Sequence, residues 1–245
     1  MRFSQAWIVA RHDIALVRRR RGVIAGLIAY PLGVGLGFPA LVWYIISSNP
    51  GTDLGSYLPG LINAFGFWFV IGAASVPTSI AAYSIVGEKV EKSLEPLLAT
   101  PTTDGEVLFG KALTAFVPTM IAVAGGSVLY MALIDAVTRG PLGYLYYPNA
   151  TIAVELLLLA PLASLVAIES SVIISARVAD VRSAQQYAGV LFLPLILVYI
   201  AGEIGFSLGE YNQLLIGGIF AVIVLVLYVV SLKTFHREEI LTRWK

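Results

Sequence analysis

The sequence predicts an all-α integral membrane protein with six transmembrane helices and both termini cytoplasmic, preceded by an amphipathic interfacial N-terminal helix. Composition is the first ground. Of 245 residues, 58% are hydrophobic and 13% charged, with a mean hydropathy of +0.84, whereas a soluble domain carries about 25% charged residues. The second ground is run length, because crossing about 30 Å of hydrocarbon takes roughly 20 apolar residues in a helix. Six runs qualify: 23–47, 58–86, 112–137, 150–176, 187–206 and 214–232. The third is the placement of cations. Fifteen of the sixteen Lys and Arg residues fall in the N-terminal segment, the second and fourth connections and the tail, and only Arg139 falls on the other side. Lys and Arg mark the cytoplasmic side. The chain divides into an interfacial segment 1–22, a single six-span domain 23–232 and a cytoplasmic tail 233–245.

In the first segment Phe3, Trp7, Ala10, Ile14 and Val17 recur at steps of four and three, while Arg11 and Arg18 lie off that stripe. A helix of this pattern lies in the headgroup layer; a plain basic tail is the alternative. Run 23–47 follows four arginines, Arg18–Arg21, yet it is too long for a signal peptide and has no small-residue cleavage site, so it is a retained span. Gly22, Gly26, Gly33 and Gly37 form two pairs at spacing four, which allows close helix approach. The fourth run holds two carboxylates, Glu155 and Glu169. Fourteen residues in a helix put them on one face, roughly 21 Å apart. Intramembrane acids are costly and are functional candidates by default. Leu159, Leu162 and Val166 occupy the line between them, which leaves hydrogen-bonded packing and transport chemistry both open. Cysteine is absent and the two histidines, His12 and His236, lie near the ends, so no metal site is expected.

Segment 87–111, "GEKVEKSLEPLLATPTTDGEVLFGK", carries eight of the 31 Lys, Arg, Asp and Glu residues. Val90, Leu94, Leu97 and Leu98 follow a helical repeat, while Glu88, Lys89, Glu91, Lys92 and Glu95 are polar. Pro96 limits a straight helix, and Thr100-Pro101-Thr102 reads as a turn. Thr103 and Glu106 form a capping box that opens a helix running into the third span. Within it, "GEVLFGK" matches G-x-x-x-x-G-K, the phosphate cradle of P-loop NTPases. That cradle needs a strand-to-helix loop and a hydroxyl for Mg²⁺. Here the capping box puts Gly105 in a first helical turn and Gly110 inside the helix, and Ala112 has no hydroxyl, so the match is a coincidence.

The run Glu88 to Glu95, then Leu97-Leu98-Ala99-Thr100-Pro101, then Gly110-Lys111, resembles the segment after the second span in ABC transporter permeases of the second type. The specific likeness covers about 25 residues, and the six-span layout extends it loosely to the whole chain. Ser93 stands where that family usually has Thr, and between spans five and six only 207–213 is plainly polar, where the family commonly has an outer hairpin. The resemblance implies a permease subunit, usually of an exporter, in the plasma membrane of a prokaryote. Its segment 87–111 is then the coupling helix that docks on a separate ATPase. Glu88, Glu91 and Glu95 would face the ATPase, Leu94, Leu97 and Leu98 would fill its groove or pack back, and Pro101 would help turn the chain. It implies no catalytic site and no cofactor in this chain, with ATP and Mg²⁺ held by two ATPase copies. A second permease copy, the same or related, and the lipid bilayer complete the partners, with no nucleic acid. Asn63, Phe65, Phe67 and Trp68 are candidate pathway-lining residues under this resemblance; outer-end aromatics also form interfacial belts. A secondary transporter or channel using Glu155 and Glu169 is the alternative function.

Overall fold

The computed structural model describes residues 3–50, 54–82, 103–175 and 210–234, with 178, 183, 186, 187, 189, 190, 193, 197 and 200 between the last two. Among the described residues all regular structure is helical. Helix α1 (Phe3–Val17) is followed by a tight turn and then α2 (Arg21–Ser48), close to the expected first span. Its Pro31 and Pro39 sit inside the helix, where neighbouring helices make proline tolerable in a span.

The second crossing, expected as one helix over 58–86, is two helices: α3 (Leu58–Gly66) and α4 (Trp68–Ala82). The break falls at Phe67, where the Val70 N–H bonds the Phe67 carbonyl at 2.8 Å, a tightened turn. Gly66 ends α3 because it is wedged: a Cβ there would stand 2.7 Å from Glu155 Oε2. Glycine allows that approach and weakens the helix at the same point.

Helix α5 (Asp104–Leu142) has 39 residues and starts with the expected capping box. Thr103 Oγ1 accepts the Glu106 N–H at 3.4 Å, and Glu106 Oε2 accepts the Thr103 N–H at 3.0 Å. The helix starts eight residues before the apolar run at 112, since its capped first turns need no lipid. It ends at Gly143, whose φ of 75° is the left-handed cap that glycine adopts without strain. The fourth crossing is α6 (Ala150–Val154), a π-helical turn (Glu155–Leu159) and α7 (Ala160–Ser175). Helix α8 (Glu210–Thr234) is the last among the described residues.

Five helical stretches are long and apolar enough to cross a membrane: Arg21–Ser48, Leu58–Ala82, Gly105–Leu142, Ala150–Ser175 and Asn212–Leu232. The expected span 187–206 lies mostly outside the described residues; Tyr187, Gly189, Val190, Leu193, Leu197 and Ile200 within it are helical and exposed.

Helix α5 is the organising element, flanked by α1 and α2 and packed on α4; α7 lies between α4 and α8. One apolar core joins Val34, Phe69, Tyr130, Ile134, Leu159 and Phe220. A second, towards α1, joins Leu27, Ile80, Val107, Leu108, Ile168 and Val172. Among the described residues the glycines expected to permit close helix approach do not make it, because a Cβ at Gly22, Gly26, Gly33 or Gly37 would meet nothing within 4 Å. The close crossing of α2 on α5 uses other glycines. A Cβ on Gly35 would lie 2.9 Å from the Gly126 carbonyl oxygen, and one on Gly126 would lie 2.5 Å from Pro31 Cβ.

Candidate functional site

The expected coupling residues Glu88, Glu91, Leu94, Glu95, Leu97, Leu98 and Pro101 all lie outside the described residues. The stretch that returns from them to the bilayer, Thr103–Lys111, is described, and it forms a built joint with α1. Gly110 faces α1 so closely that a Cβ would stand 2.7 Å from the Ala6 carbonyl oxygen and 2.9 Å from Val9 Cβ. One residue on, Lys111 Nζ lies 3.5 Å from Asp13 Oδ2, with the lysine side chain 0% and the aspartate 8% exposed. That separation is long for a hydrogen bond and close for an ion pair. The other carboxylate oxygen of Asp13 lies 3.1 Å from Nδ1 of the exposed His12. One turn further along α5, Thr114 Oγ1 donates to the Gly110 carbonyl at 3.0 Å and approaches that of Ala10 at 3.5 Å.

The G-x-x-x-x-G-K match lies within this joint. Gly105 and Gly110 are helical, and the lysine that would touch phosphates in a P-loop is buried against Asp13. Gly110 gives α1 its seat, and Lys111 with Asp13 ties it down. A buried charge left alone is strongly destabilising, so the two helices dock in one register.

A second polar cluster sits at the far end of the bundle. Glu155, fully buried on the first residue of the π turn, accepts a hydrogen bond from Gln213 Nε2 at 3.1 Å, and Gln213 is itself fully buried in α8. Around them Tyr130 and Tyr147 both donate to the Ile62 carbonyl, at 2.7 and 3.3 Å, and Tyr146 donates to that of Pro59 at 3.1 Å. Asp135 Oδ1 accepts the backbone N–H groups of Tyr146 and Tyr147 at 2.9 and 3.0 Å, shaping the turn between α5 and α6. Burial, reinforced by neighbouring Tyr130, pushes the Tyr147 phenol far above its ordinary range. Asn149 caps α6 by accepting the Ile152 N–H, and its amide reaches Asn63 Oδ1 at 3.3 Å. The cluster holds the second, third, fourth and last crossings together at this end.

A family model described as "ABC-2 family transporter protein" matches residues 7–214, from within α1 to the start of α8. The chain belongs to this family. The comparison with curated proteins found no match. Membership makes the chain an ABC-2 permease, and its apolar helices agree with a multi-pass membrane protein; permeases of this family associate in general with an ABC ATPase and are the membrane subunit, not the catalytic one.

In this ABC-2 permease the remaining residues singled out from sequence are dispersed. Glu169, in α7, is buried and faces Ser231 of α8. Glu155 and Glu169 thus both meet α8, at positions 18 residues apart, and Leu159 and Val166 fill the interior between them. Phe65 stacks on Phe38 of α2 with ring centroids 4.3 Å apart, and Trp68 tilts against the same ring at 5.6 Å. Phe67 is buried in the permease's own core, and Asn63 is engaged with Asn149. Sequence reasoning passed over Asp13, Gln213 and the π turn. The available signal for Asp13 was an acid on the apolar side of α1 facing a lysine just inside α5.

Proposed function

We propose that this permease is the membrane half of an exporter, driven through segment 87–111 by a separately encoded ATPase that holds ATP and Mg²⁺. Two copies of the permease, identical or related, work with two ATPases in the plasma membrane of a prokaryote. The chain crosses six times with both termini cytoplasmic, as the fifteen-to-one distribution of Lys and Arg supports. The uncovered Gly22, Gly26, Gly33 and Gly37 face supports a second copy against α2.

The observation that carries the coupling reading is the joint at the start of α5. Force entering through the carboxylates Glu88, Glu91 and Glu95 and the leucines Leu94, Leu97 and Leu98 passes Pro101 and meets a capped helix. Gly110 and the Lys111–Asp13 pair lock that helix to a second, surface-lying one. A joint of this kind turns a push on a connecting segment into a tilt of a transmembrane rod. An outward route lined by Phe65 and Trp68 suits an amphipathic, lipid-like cargo better than a small ion.

The test is the purified permease with its ATPase in liposomes. Glu88→Lys with Glu95→Lys is expected to abolish ATP-driven cargo movement, while Glu155→Gln with Glu169→Gln leaves it intact. The reverse pattern would overturn the proposal in favour of a secondary transporter or channel built on the two intramembrane acids.

A further inference from the structure

The turn between α1 and α2 carries four consecutive arginines, Arg18–Arg21, which neither the joint nor the coupling reading uses. The backbone N–H groups of Arg18, Arg19 and Arg20 fold back onto the carbonyls of Ile14, Leu16 and Val17 at 2.9–3.1 Å, which makes the turn compact and crowds its cations. Arg18, Arg19 and Arg21 are exposed. Among the described residues none of these three has a carboxylate partner, and Asp13, the nearest in sequence, is committed to Lys111. Three exposed like charges this close, none of them paired within the described residues, call for a counter-anion.

The apolar surroundings indicate which anion. Leu16, just ahead of the turn, is exposed, and so is Ile28, two turns into α2. Uncovered aliphatic side chains on both sides of a basic turn, at the point where a span begins, match the layered chemistry of a bilayer boundary. A dissolved anion would answer the charge and leave the apolar surface in water. A phospholipid answers both, with phosphate oxygens for the guanidinium forks and acyl chain for Leu16 and Ile28.

We propose that the turn of Arg18, Arg19 and Arg21 with Leu16 and Ile28 is a binding site for anionic phospholipid headgroups, phosphatidylglycerol in character. Zwitterionic headgroups bind it poorly because their own ammonium group offsets the phosphate charge. The site rests on the cytoplasmic placement of α1 and owes nothing to the coupling mechanism. It is therefore tested on the permease alone, without ATPase or nucleotide, and failure of the coupling reading would leave the result unaffected.

The experiment is native mass spectrometry of the full chain released from micelles holding equal phosphatidylglycerol and phosphatidylcholine of matched chains. The wild type is expected to retain phosphatidylglycerol selectively. Each arginine lost should weaken retention about fivefold, so Arg18→Gln, Arg19→Gln and Arg21→Gln together should weaken it on the order of a hundredfold. The matching Lys variants keep the charge and most of the binding. Equal retention of the two lipids, or unchanged selectivity in the triple Gln variant, would overturn the site. Displacement of the lipid by inorganic phosphate at millimolar concentration would overturn it too, by making the site one for free anions. Because cation loss also bears on membrane insertion, salt provides a second measurement on unaltered protein. Raising ionic strength from about 0.1 to about 1 M, which shortens the screening length from about 10 to about 3 Å, should abolish the selectivity, and persistence of it would be equally fatal.

Discussion

Asp13→Asn is the sharpest perturbation of the joint. It keeps the side-chain volume and takes from Lys111, whose side chain is 0% exposed, the carboxylate at 3.5 Å. At an effective dielectric of about 20, two unit charges at that separation attract by about 5 kcal/mol, and removing one member of a buried pair costs about 3–5 kcal/mol. Taking about 3 kcal/mol as the loss, the fraction of molecules with α1 undocked rises about 150-fold. Lys111→Met should cost less, since Asp13 retains 8% exposure beside the exposed His12 and reaches water with little rearrangement. Asp13→Leu with Lys111→Met should recover most of the docking, because an apolar pair needs no counter-charge. Amide hydrogen exchange over residues 6–13 measures all three, with undocking read as faster exchange. The reasoning is refuted if exchange in Asp13→Asn matches wild type, or if the double variant exchanges faster than either single one.

Gly110→Val should also loosen α1, by about 1–3 kcal/mol of overpacking, because its first side-chain carbon alone would stand 2.7 Å from the Ala6 carbonyl oxygen; the same exchange measurement reads it. Thr103→Ala removes the cap of α5 and should cost about 1 kcal/mol, confined to faster exchange in the first turn after Asp104. Gln213→Leu deprives a fully buried Glu155 oxygen of its 3.1 Å donor and should lower thermal stability in detergent by about 1–3 kcal/mol, with no change in the exchange of α1. For Tyr147 the folded-state pKa is raised by burial, so its contribution is fully present below the unfolded value near pH 10 and is lost above it. Stability in detergent should therefore show no Tyr147-dependent change from pH 7 to 9 and fall above about pH 10, with Tyr147→Phe reducing the slope of that fall.

What the sequence disclosed followed the range of each interaction. The capping box of Thr103 and Glu106 is legible because donor and acceptor lie three residues apart and the motif needs no partner from elsewhere. The apolar stripe of α1 is legible only as a sum. Phe3, Trp7, Ala10, Ile14 and Val17 mark the apolar side, yet α5 covers an arc shifted towards Ala6, Val9, Ala10 and Asp13. Lipid and protein both reward apolar residues, and periodicity does not separate them. The π turn was invisible for a different reason. "ELLLL" holds no glycine or proline, and the groups around Glu155 come from α8, 58 residues on, and from Gly66 in α3. The glycine pairs of α2 teach the same lesson: spacing marks a surface fit for close approach without saying whether this chain supplies the partner.

The 39 residues of α5 have a mechanical consequence. At 1.5 Å per residue they make a shaft of about 58 Å, nearly twice the thickness of the hydrocarbon layer. Upright in the bilayer it carries a surplus of about 28 Å into the headgroups or beyond them, and one continuous helical strut, with Pro118 inside it, begins beside α1 and finishes at the tyrosine-lined turn at the other end of the bundle. Swinging such a strut about a pivot in mid-bilayer displaces its two tips by similar distances in opposite senses. A single label at each tip would therefore report whether the leaflets are being worked together or in sequence.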